Sequence, residues 1–116
     1  MDQFKLEWLP QTREGVHILK VTGPFTLADV FEFQSVIRED SAPVTLIDMH
    51  DVPYMDSAAL GSLLGFHVSC QRESRKYALV GVADRLKTLF RVAGVDGMLS
   101  IYPTAGEAET ALSAGV

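Results

Sequence analysis

Three features of the sequence predict an α/β fold on a mixed sheet. Short apolar runs alternate with segments of helical period, helix-start signals precede those segments, and one run is apolar on both sides, as interior parallel strands are. The resulting order is ββαβαβαβα, about five strands and about four helices. The 116-residue length fits a single domain over 1–116, and 47% apolar with 22% charged residues supports a real core and excludes a disordered tail.

Phe4, Leu6 and Trp8 alternate with Lys5 and Glu7 as in a half-buried strand, and Gln11 to Gly15 form a turn into a second strand, Val16–Thr22. The two are placed to form a hairpin at one sheet edge. Gly23-Pro24 stops the second strand. Thr26 then caps a helix with Asp29 three positions on, Leu27, Val30, Phe31, Gln34 and Ile37 forming its inward face. Val44–Met49 is the strand apolar on both sides. Beyond a loop from His50 to Met55, Asp56-Ser57 open a helix reaching about Glu73, with Leu60, Leu63, Leu64 and His67 on one face. Tyr77–Val82 is the fourth strand, parallel to the third through a right-handed crossover. Asp84 caps a helix bearing Leu86, Leu89, Phe90 and Ala93, which Gly94 and Val95 end as a Schellman turn. Met98–Tyr102 is the last strand, and Thr104 with Glu107 forms a capping box for a terminal helix with Ala108, Ala111 and Leu112 inward.

Composition removes several function classes. Ten basic against fifteen acidic residues give a net charge of -5, which disfavours a nucleic-acid footprint or a lipid-seeking basic face. The lone Cys70 excludes an intramolecular disulfide or a multi-thiolate zinc module, and it reads as a small buried residue. No basic segment leads into an apolar run at the N-terminus and no stretch is long enough to span a bilayer, so a cytoplasmic protein with no membrane insertion is expected. GxGxxG and GxxxxGK[ST] motifs are absent. No cofactor, metal or catalytic residue is therefore expected, and the chain is read as a non-enzyme.

The three histidines are too dispersed for a metal motif; His17 and His67 read as structural, and only His50, near Asp48 and Asp51, offers a remote enzymatic reading. Gly61 and Gly65 form a GxxxG read as close approach of that helix to a neighbouring backbone. The stronger candidate is Asp56-Ser57. Either residue suits the helix N-cap, but the pair falls where a strand-following loop enters a helix, the usual place for sites in α/β sheets. A phosphate on Ser57 would meet free N–H groups and the positive end of the helix, and it would change the surface there without unfolding the element.

Val44–Met49 followed by Met55-Asp56-Ser57-Ala58-Ala59-Leu60-Gly61 resembles the STAS domain, typified by bacterial anti-sigma factor antagonists, in which an apolar strand and short loop lead into DSSGL or DSTGL. Tyr77–Val82 and Arg85–Val95 are similar to that family's fourth strand and third helix. The resemblance implies a regulatory binding protein. Its partner would be an anti-sigma factor or related serine kinase that phosphorylates Ser57, with a serine phosphatase restoring the hydroxyl; the ATP would belong to the partner. It places Gly23, Pro24, Phe25 and Thr26 beside Met55, Asp56, Ser57 and Ala58 as the partner-binding residues, although Phe25 and Met55 suit a core equally well. Two departures motivate an alternative. The motif's second hydroxyl residue and glycine are Ala58 and Ala59, and Thr26 stands where the family often carries an aspartate. The alternative is a non-switched STAS interaction subunit of a transporter ATPase or signalling complex.

Overall fold

The computed structural model describes residues 3–113. Strands β1 (Lys5–Trp8) and β2 (Val16–Thr22) pair antiparallel, whereas β2, β3 (Val44–Asp51), β4 (Lys76–Val80) and β5 (Ile101–Tyr102) run parallel, in the sheet order β1-β2-β3-β4-β5. Helices α1 (Val30–Arg38), α2 (Ser57–Arg72), α3 (Asp84–Val92) and α4 (Ala105–Ser113) complete the predicted order ββαβαβαβα. Each new parallel strand is added beside the last, so crossovers of one hand put their three helices on one face. The packing bears this out. Leu19, Ile47, Met49 and Leu79 face Phe33 of α1, Leu63 of α2 and Phe90 of α3, whereas Leu46, Ala78 and Val80 face Ala108 of α4.

Several boundaries and faces differ from expectation, each for a local reason. β3 runs two residues past Met49, to Asp51, because backbone pairing with β2 continues through a register shift between Lys20 and Thr22 although the His50 and Asp51 side chains are exposed. β4 stops at Val80, where Gly81 turns into the left-handed region at φ +70°. Only Ile101–Tyr102 of the predicted last strand pairs, leaving Met98 exposed. The N-cap of α3 is Ala83, with Asp84 the first helical residue; its end is the predicted Schellman turn, Val95 N–H donating to Phe90 and Gly94 N–H to Arg91. Thr104 does cap α4, accepting the Glu107 N–H at 3.1 Å. Ala111 is exposed, however, and Ala105, Ala108 and Leu112 make the inward face.

The helix entered from Thr26 begins as a 3-10 turn, Leu27–Asp29, before α1. Within α1, 3.6 residues per turn set Phe33 and Ile37 about 40° apart and put Phe31 about 160° from Phe33. Phe33 and Ile37 therefore point inward while Leu27 and Phe31, expected in the core, are 66% and 83% exposed. The reading of Gly61 and Gly65 as a close backbone approach is also corrected: both face outward, and a Cβ at either would meet no atom within 4 Å.

Candidate functional site

The carboxyl ends of β2 and β3 are prolonged by a short ladder outside the strands. Gly23 N–H donates to Asp51 O at 2.9 Å, Phe25 N–H to Tyr54 O at 2.9 Å and Asp56 N–H to Phe25 O at 3.3 Å, and Phe25 and Met55 form a parallel bridge. Gly23 has φ +88°, and a Cβ there would lie 2.7 Å from the Gln3 carbonyl oxygen, so this turn demands glycine. Phe25 anchors it, fully buried with its ring 5.1 Å from those of Phe4 and Phe33. The turn Gly23–Thr26 and the loop into α2 are thereby one unit, in the proximity that the family resemblance implied.

Asp56 is the N-cap of α2: Oδ1 accepts the Ala59 N–H at 2.9 Å. Its Oδ2 accepts the Leu27 N–H at 2.9 Å, reaching back to the 3-10 turn. These amide donors, Ala59 first and then Leu27, hold the carboxyl below its ordinary 3.8. Across the turn, Thr26 donates its N–H and its hydroxyl to Asp29 Oδ2, at 3.0 and 3.3 Å. Ser57 follows as the first residue of α2, and it is exposed.

The eight residues expected to meet a partner thus divide by burial. Ser57 is exposed, and Pro24, Thr26, Asp56 and Ala58 are partly so. Gly23, Phe25 and Met55 are buried and support the surface from beneath, since the ladder turns Phe25 and Met55 into the core. What the sequence reading missed is the apolar surface beside the site: Leu27, Phe31 and Tyr54, the last 51% exposed. The first two were assigned inward from the apolar pattern that begins at Leu27, whereas a helical face centred on Phe33 and Ile37 turns Phe31 outward.

The remaining candidates resolve as structural groups. His67 Nδ1 lies 2.8 Å from the Tyr77 hydroxyl, and His17 Nδ1 lies 2.7 Å from Asp40. His50 Nδ1 lies 2.7 Å from Asp48, with its ring against Gly81, where a Cβ would collide with it. Cys70 is buried, and burial pushes its thiol up to about 11, away from redox reactivity. Among the described residues no group of three or more metal-ligating side chains is assembled and no helix is long and apolar enough to cross a membrane.

Five strands with this connectivity and an Asp-Ser helix start define a STAS domain, and the STAS family model matches residues 7–108: the chain belongs to that family, one of regulatory, non-catalytic domains. Within it, the chain is similar to anti-sigma factor antagonists. It is 32% identical over 83 residues to the anti-sigma-B factor antagonist of Listeria monocytogenes, covering 72% of this chain and 73% of that protein. It is 26% identical over 93 residues to the Staphylococcus aureus protein of the same name, covering 78% and 86%. The crystal structure of an anti-sigma factor antagonist from Mycobacterium paratuberculosis shares the fold, with a TM-score of 0.79 at 22% identity, covering 97% of this chain and 95% of that one.

Proposed function

We propose that this chain is a cytoplasmic anti-sigma factor antagonist whose binding face is switched by phosphorylation of Ser57. In the unmodified form the face around Ser57 docks on an anti-sigma factor that is also a serine kinase; a partner serine phosphatase reverses the modification. The observation that carries this reading is the exposed Ser57 side chain at the first position of a helix whose cap, Asp56, is hydrogen-bonded to the turn that carries exposed Leu27 and leads into exposed Phe31, with exposed Tyr54 in the loop before it. The hydroxyl is accessible to a kinase, and the surface around it is apolar enough to bind.

A phosphate would add about -1.5 to -2 charges beside the Asp56 carboxylate. At the helix start it gains from amide donors and the dipole, so the fold tolerates it. In the bound state it would be desolvated against the partner, at a cost of several kcal/mol, which is enough to release the complex. The chain contributes no nucleotide chemistry to this cycle.

Incubation with an anti-sigma factor kinase and ATP, followed by intact-mass and peptide mapping, tests the reading. A single phosphate on Ser57, abolished by Ser57→Ala, is expected. No modification by a kinase active on its own antagonist, together with binding indifferent to Ser57→Asp, would favour the non-switched subunit, the reading that Ala58 and Thr26 motivate.

A further inference from the structure

Capping α2 requires one acceptor from Asp56, and Ser, Asn or Thr would serve. The structure gives the carboxylate a second partner, the Leu27 N–H, 29 residues away in sequence and 2.9 Å from Oδ2, while Oδ1 keeps the Ala59 N–H at 2.9 Å. Leu27 opens the 3-10 turn, and four residues on, in the first turn of α1, comes Phe31, the most exposed large apolar side chain among the described residues. The ladder below, Phe25 N–H to Tyr54 and Asp56 N–H to Phe25, ends at the start of this turn. Beyond it, among the described residues, the Asp56 carboxylate is the direct hydrogen-bonded tie between the turn carrying Leu27 and the start of α2.

We infer that Asp56 is a positioning residue for partner binding: it holds the Leu27–Phe31 ridge in register with Ser57, so that ridge and hydroxyl meet the partner as one preformed face. The inference rests on the reading of the Ser57 face as the docking surface and adds what that surface recognises. The partner fitting it carries an apolar recess for Leu27 and Phe31 adjoining its contact with Ser57. Preorganisation is the source of the gain, because a turn freed from the carboxylate must be ordered again on binding. The motif aspartate is then selected over other caps by its two separate acceptor oxygens, whereas an amide offers one and a hydroxyl cannot span both donors.

Asp56→Asn and Asp56→Ser each retain a cap acceptor for Ala59 but cannot hold both amides. In the free protein, hydrogen exchange at the Leu27 amide is expected to quicken about tenfold or more in both variants, with Ala59 and Leu60 changing far less. Affinity for a purified anti-sigma factor kinase from the same organism is expected to fall about tenfold for Asp56→Asn in the native background and less than about twofold when Leu27 and Phe31 are both alanine. Unchanged Leu27 exchange in both variants would overturn the inference and leave the Ser57 reading standing. Losses that add in the double-mutant cycle would overturn it too, by showing that Asp56 touches the partner independently of the ridge. If Leu27 exchange quickens but the native chain binds no such kinase, the docking reading fails, and the binding role assigned to Asp56 fails with it.

Discussion

Two aspartates tie loops to opposite ends of the parallel strands, Asp40 chiefly through side chains beside one long contact with the Ala42 amide, and Asp56 through backbone amides. Asp40, just ahead of β3, has a side chain only 4% exposed and is held by Thr45 at 2.6 Å, His17 at 2.7 Å and Arg75 at 3.0 Å. Arg75, 10% exposed, also donates to the Ala42 carbonyl at 2.8 Å and to the exposed Glu73 carboxylate at 3.1 Å, so the amino ends of β2, β3 and β4 share one polar network around a buried Asp40. Asp56, at the carboxyl end, instead accepts backbone N–H groups and leaves the adjacent side chains free, with Ser57 exposed beside it. A carboxylate spent on side chains locks a structure. One spent on amides fixes the backbone and leaves a surface to present.

The largest effect expected from breaking this contrast is at the amino end. Asp40→Ala removes the shared acceptor of Thr45, His17 and Arg75, leaving the guanidinium only the exposed Glu73, the Thr45 hydroxyl and the Ala42 carbonyl, and should cost about 2 kcal/mol in urea unfolding. At the carboxyl end, Phe31→Ser should move stability by less than about 0.5 kcal/mol, because nothing buried is lost. An Asp40→Ala loss below about 1 kcal/mol would mean that the network is no stronger than an exposed ion pair.

Acid sharpens the comparison next. Burial pushes the Asp40 carboxyl up, but hydrogen bonds from Thr45, His17 and Ala42 outweigh it and leave the group below its ordinary 3.8; Asp56 is also lowered, by the Ala59 and Leu27 amides. With folded values below unfolded ones, the unfolded chain binds more protons on the acid side. The stabilisation is therefore complete above the unfolded value and is lost as pH falls through the folded one. The urea midpoint should be flat from about pH 6 to 5 and fall below about 4, with a shallower acid limb in Asp40→Asn. An unchanged acid limb in that variant would contradict the assignment.

The order of elements and the Asp-Ser helix start were legible because each follows from local pattern: Val44–Met49 is largely apolar, and Asp56 carries an N-cap side chain ahead of a helical run. Burial at the site was less legible. Phe25 and Met55 are core residues only because a bridge outside the named strands turns them inward, and Phe31 faces out because the buried side of α1 is centred on Phe33 and Ile37. The first depends on pairing between segments about thirty residues apart, which local pattern does not encode, whereas the second follows from helical periodicity once Phe33 is placed inward. Gly61 and Gly65 show the same limit, since spacing cannot say whether small residues face a neighbour or solvent.

The smallest expected effect concerns those glycines. With open space around both, Gly61→Ala and Gly65→Ala should each raise stability by about 0.5–1 kcal/mol, the ordinary helix gain of alanine over glycine. A loss in unfolding experiments would restore the close approach that the structure excludes.

The most direct test of the switch is calorimetric titration of an anti-sigma factor kinase with this chain carrying either serine or phosphoserine at position 57, in the absence of ATP. The account predicts binding of the serine form and at least about a hundredfold weaker binding of the phosphoserine form, some 3 kcal/mol, with both forms equally folded. Equal affinities for the two would contradict it.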